Sequence, residues 1–181
     1  MRHDTRVTYI SERSDRLASR TIRIFVVLLI WLVPVLSAQQ QDSVSEYNVP
    51  SEVSNCMKAL GSDYIISGKI NPFYLRGDFT GDGKPDFAVL VRNGDQQGIM
   101  VCRGPGLKPT LLGAGTAFHA MKNLNFNAWQ VHPKTRPVER GVEEGKPPAL
   151  LGDAILIEWE ESASAILYWN GKRFIWYQQG D

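Results

Sequence analysis

The chain has 181 residues, 43% of them hydrophobic, and its 20 Lys/Arg against 19 Asp/Glu give a net charge of +1. The charge is unevenly spread: residues 1–38 hold six basic and three acidic residues, which leaves the remainder at −2. A body so close to neutral excludes the electrostatic footprint of a nucleic-acid binder and a polybasic lipid-binding patch, and the length suits one domain with appendages.

At the N-terminus Arg13, Arg16, Arg20 and Arg23 precede an apolar run of thirteen residues, Ile24 to Leu36. That is the length of a signal-peptide core and too short for an ordinary membrane span. Small residues follow, so a cut falls after Ser37 or Ala38, although Leu36 breaks the usual small-x-small pattern. Residues 1–38 therefore read as a signal peptide, and the protein as exported to a periplasmic or extracellular space. The alternative is an uncleaved anchor through residues 24–36, which still leaves the body outside the cytoplasm and uninserted. Residues 39–49 are polar and read as a linker, and residues 50–181 as a single β-rich domain.

Pro50 suits the start of a helix and Gly61 its end, so a short helix is expected over about Pro50 to Leu60. Val53, Cys56, Met57 and Leu60 fall at i, i+3, i+4, i+7 and give it one apolar face. Cys56 and Cys102 are the two cysteines. Two readings stand: a disulfide, which an oxidising compartment favours, or Cys56 as a small core residue.

"DYIIS" and "FYLRG" read as short strands and "DFAVLVR" as a third. "NGDQ" turns the chain into "GIMVC", and "TLLG" offers one more strand. "TAFHAMKNL" fits a helical turn or a strand equally, and residues 133–149, charged and proline-rich, read as an exposed loop. "DAILIEWEE", "SAILYW" and "KRFIWYQQ" resume strand character, with a turn near Glu161–Ser162. Asn170-Gly171 is a strong signal for a two-residue type I′ hairpin. That turn sets Trp169 opposite Lys172, Leu167 opposite Phe174 and Ala165 opposite Trp176. Both faces of the hairpin then carry large apolar groups, which places it inside a sheet and most of Trp159, Trp169 and Trp176 in the core.

The segment richest in chemistry is "GDFTGDGKPDFAVLV", Gly77 to Val91. Counted from Asp78 as position 1, it has Thr80 at 3, Asp82 at 5, Gly83 at 6, Lys84 at 7 and Asp86 at 9. Alternate residues of a tight loop turn the same way, so three carboxylates, a hydroxyl and the Lys84 carbonyl suit a hard cation such as Ca²⁺. Position 12 is Val89, within a strand, where an EF-hand needs Glu on a helix. A merely structural turn must hold three carboxylates in nine residues with only Lys84 and Arg76 nearby. The loop resembles the calcium loop of FG-GAP/VCBS-type repeats, which runs D-x-[DN]-x-D-G-x-x-D between two strands. Asp78, Asp82, Gly83 and Asp86 match that pattern, while Thr80 departs from it. The resemblance implies Ca²⁺ ligation by Asp78, Thr80, Asp82, the carbonyl of Lys84, and Asp86. It covers about fifteen residues and does not carry over the propeller fold, which needs several copies of the loop.

The remaining candidates are weaker. Arg76-Gly77-Asp78 spells an integrin-binding tripeptide, but Asp78 is needed in the loop. His119 and His132 lack metal-ligand spacing. No G-x-S-x-G elbow occurs, and "GAGTAF" lacks a βαβ setting. Glu158, Glu160 and Glu161 read as a solvated strand end, and Trp129 as the aromatic residue free for a ligand. The expectation is an α+β fold, mainly antiparallel β, in one small sheet domain with a short N-terminal helix and a β-hairpin calcium loop. The expected function is a non-catalytic calcium-binding module with an unknown protein or glycan partner. The alternatives are a hydrolase-like secreted enzyme using His119, His132 or Glu158–Glu161, and an inhibitor presenting loop 133–149.

Overall fold

A computed structural model describes residues 43–104, 109–141, 145–160 and 163–180. The expected signal peptide or anchor lies outside the described residues, as does the turn at Glu161–Ser162. No helix among the described residues is long and apolar enough to cross a membrane.

After a 3-10 turn at Glu46–Asn48, helix α1 spans Ser51–Leu60, with Pro50 at its N-cap and Gly61 closing it through a bond to the Met57 carbonyl. Strands β1 (Ile65–Ile66), β2 (Tyr74–Gly77), β3 (Asp86–Asn93), β4 (Gln96–Cys102) and β5 (Thr110–Gly113) form one antiparallel sheet. Both β1 and β2 pair with the same side of β3, β1 at its C-terminal end and β2 at its N-terminal end. Strands β6 (Ala128–His132), β7 (Ala154–Glu158), β8 (Ser164–Trp169) and β9 (Phe174–Gly180) form a second antiparallel sheet in sequential order. The body is therefore two sheets with one helix, where a single small sheet was expected.

The reason for two sheets lies in the side-chain pattern of β3. Residues Asp86–Val91 are all buried, so both faces of the strand need a cover. Ala88 and Leu90 join Ile99, Val101 and Leu112 on one face and meet Ile155, Ile157, Ala165 and Leu167 of the second sheet in a shared core. Phe87, Val89 and Val91 point the other way, onto Val53, Cys56 and Met57 of α1. Strand β6 was hidden in a stretch with no clear strand pattern. Trp129 and His132 are buried on it, and Ala128 and Gln130 are exposed.

Two expectations about the chain's second half need correction. The Asn170-Gly171 connection is not a two-residue turn. Trp169 pairs with Phe174 and Leu167 with Trp176, so the connection runs over four residues, 170–173. Asn170 stands at its start, where Oδ1 accepts from the N–H groups of Lys172 and Arg173, both at 2.9 Å, and only Gly171 takes a positive φ, 92°. The shift against the expected register is even, so each residue keeps its face. The hairpin is also not internal: β9 is the edge strand of its sheet. The apolar groups on its outer face are covered instead by the chain between β6 and β7. Val138 and Leu150 pack with Leu156, Ile166 and Tyr177, and the Tyr177 hydroxyl accepts from Gly141 N–H and donates to the Gly145 carbonyl. Most described residues of the 133–149 segment are exposed, as expected, but Val138 and Gly141 are buried and seat it on a sheet face.

Cys56 and Cys102 form a disulfide with Cα atoms 6.0 Å apart, tying α1 to the last residue of β4. The bond closes a sequence separation of 46 residues. By loop-closure entropy, reduction or the Cys56→Ser/Cys102→Ser double change should cost about 2–4 kcal/mol. Urea unfolding with and without reductant measures it, and an unchanged midpoint contradicts it.

Candidate metal centre

Strands β2 and β3 pair down to Gly77 opposite Asp86, so the acidic loop is a hairpin connection held at its base by the sheet. Phe79 points into the shared core and is fully buried, which pins the loop against the body. Its neighbours Asp78 and Thr80 consequently turn to the other side and are half-buried, while Asp82 and Lys84 are exposed. Asp86, the first residue of β3, is buried.

The carboxylates organise the loop through its main chain. Asp78 accepts from Gly81 N–H at 2.8 Å and from Gly83 N–H at 3.0 Å, one on each oxygen. The positive φ of Gly83, 81°, makes that reversal possible. Asp82 Oδ1 accepts from Lys84 N–H at 2.9 Å. Asp86 Oδ2 accepts both the N–H and the hydroxyl of Thr80, each at 3.0 Å. Among the described residues, no Lys or Arg side chain bonds to any of these carboxylates. Nor do three or more His, Cys, Asp or Glu side chains stand close enough together there to hold a metal ion as they are placed.

A fourth carboxylate was missed in the sequence. Asp153, just before β7, accepts from Asp78 N–H at 3.1 Å through Oδ2 and from Lys134 N–H at 3.1 Å through Oδ1. Its own N–H donates to the Asp78 carbonyl at 2.7 Å. The neighbouring glycines allow this approach. A Cβ on Gly152 would lie 2.2 Å from the Asp78 carbonyl oxygen, and one on Gly81 would lie 2.4 Å from that of Leu151. Asp153 is 75 residues from Asp78 in sequence, and its single clue is a Gly-Asp pair like Gly77-Asp78, here directly before an apolar run.

The other candidates disperse. His132 is buried, with Nε2 3.0 Å from the Arg136 carbonyl. His119 is exposed and stacks on Trp176. Trp129 is not free for a ligand: it is 4% exposed, and its Nε1 donates to the Pro72 carbonyl. Trp159, Trp169 and Trp176 pack partly buried against the shared core. Glu158 pairs across to Ser164, Glu160 is exposed, and Glu161 lies outside the described residues. Comparison with protein-family models, curated proteins and solved structures finds no match to this chain.

Burial holds the Asp86 carboxyl above its ordinary value of 3.8; the two bonds from Thr80 partly offset this, and repulsion from Asp82 and Asp78 adds to it. A raised folded value means that the neutral form favours folding. Its contribution is full below the unfolded value and is lost as pH rises through the folded one. In chelator-treated protein, stability relative to Asp86→Asn should therefore decline as pH rises from about 4 toward neutrality. Urea unfolding across that range tests this, and a pH-independent difference contradicts it. Separately, Gly152→Ala should destabilise by about 1–3 kcal/mol, because main-chain atoms must move to admit the methyl group. An unchanged unfolding midpoint counts against that clamp.

Proposed function

We propose that the chain is an exported, non-catalytic domain that binds Ca²⁺ as a structural ion, with the rest of its surface serving as a binding or interaction module. One observation carries this reading. Asp86 is buried at the head of β3, close to Asp78 and Asp82, and among the described residues no cationic side chain bonds to any of the three. Buried carboxylates are ordinarily paired or coordinate a metal.

The donor set suits a hard cation. Asp78, Asp82 and Asp86 supply carboxylate oxygen, Thr80 a hydroxyl and Lys84 its carbonyl. A carboxylate oxygen that accepts one N–H keeps a second acceptor site, so the main-chain bonds to Asp78 are compatible with ligation. Asp82 is exposed and tied by one bond, so it is the residue that has to turn inward. Binding the folded state alone stabilises it, by about 2.7 kcal/mol when the free ion is at 100 times its Kd.

The full chain should melt at a lower temperature in EGTA than in excess Ca²⁺. Asp82→Ala should abolish the difference. Elemental analysis of the purified protein accompanies the melts, to detect an ion that the chelator fails to strip. Protein that carries no calcium and melts identically in both buffers sinks the proposal.

A further inference from the structure

The two seams between the sheets differ. On the β2–β6 side the Trp129 indole bridges to Pro72. On the β5–β9 side a cavity of about 490 Å³ remains, walled by Thr110–Leu112 and by Arg173–Trp176, with Ala117–His119 at one end. Both walls are edge strands. Among the described residues, Thr110–Leu112 pair only with β4 and Phe174–Tyr177 only with β8. Each wall therefore turns a row of main-chain N–H and C=O groups away from its own sheet, a template for one more strand.

The end of the cavity is built at a conformational cost. Phe118 and Met121 exchange both main-chain hydrogen bonds, at 2.8 and 2.9 Å, so His119 and Ala120 form a two-residue turn. Their φ values are 46° and 63°. Such turns favour Asn and Gly, because a side chain at positive φ is strained, and strain of this kind gathers at binding sites. Here it sets the His119 ring flat on Trp176, 5.1 Å away at 5°. Among the described residues the lining carries Arg173 and His119 and no carboxylate.

We propose that this seam binds an extended polypeptide segment of another protein, which enters as a strand along β5 and β9. Apolar side chains of the segment pack on Phe118 and Trp176, and a carboxylate faces Arg173. Main-chain bonding supplies affinity in this mode, and the side-chain pockets supply specificity. The proposal rests on the interaction-module half of the reading above and not on the calcium loop, so the calcium melts and the binding test fail independently.

The test is selection of a display library of random segments, each about eight residues long, on the full chain, followed by anisotropy titration of the labelled winners. Winners should alternate apolar residues with at least one acidic residue. Their affinity should drop about tenfold or more with Arg173→Glu, with His119→Gly, and when alternate peptide amides are N-methylated. Because His119→Gly relieves the strained φ, the melting temperature should hold or rise, which separates lost binding from lost folding. No enrichment over selection on the Arg173→Glu chain overturns the proposal, as do winners indifferent to N-methylation. Saturable binding from a glycan array with none from peptides also overturns it and assigns the groove to sugars.

Discussion

Strand β3 has no solvent face, and most of the structure follows from that. Six of its eight residues, Asp86–Val91, are buried, three partner strands pair with it, and its two faces supply two separate cores. One face requires the second sheet and the other requires α1. The disulfide from Cys56 to Cys102 then fastens α1 to the strand next to β3. The same constraint places a carboxylate where water does not reach. Asp86 begins the strand, so its position is dictated by the pairing with Gly77 and not by its own preference for solvent. Thr80 offsets part of the resulting cost with two hydrogen bonds, and the cation proposed above would offset more of it.

The loop above β3 belongs to both sheets. Phe79 anchors it in the shared core, and Asp153 grips both the N–H and the carbonyl of Asp78 from the chain that leads into β7. Asp153 also holds Lys134, in the segment that follows β6. The geometry of the acidic loop is thus set by residues far from it in sequence. An ion bound there, as proposed, would therefore also bear on how the second sheet's connections are held.

Much of this was legible locally. The helix, its apolar stripe and the strands flanking the acidic loop follow from periodicity and from Pro50 and Gly61. The loop's boundaries follow from the spacing of Asp78, Asp82, Gly83 and Asp86. What was not legible depends on contacts between distant residues. Asp153 carries no mark of its partner. Trp129 looked available because its burial comes from the packing of the second sheet, beside Phe126. The 133–149 segment is polar by composition, yet Val138 and the Tyr177 hydroxyl are enough to seat part of it on a sheet. The Asn170-Gly171 signal identified the correct hairpin with the wrong turn, because the Asn170 side chain bonds two N–H groups that a tighter turn would not present to it.

That turn has a bearing on how this chain can change length over time. Facing pairs in the β8–β9 hairpin alternate between the shared core and the side covered by Val138. A slip of β9 against β8 by two residues leaves Leu167 and Trp176 on the core side. A one-residue slip of β9 against β8 would turn every side chain of β9 over and exchange Phe174 for Ile175 in the core. An odd change in the length of the connection has therefore to be absorbed outside the ladder, as the irregularity between Ser164 and Ala165 absorbs one at the far end of the same hairpin.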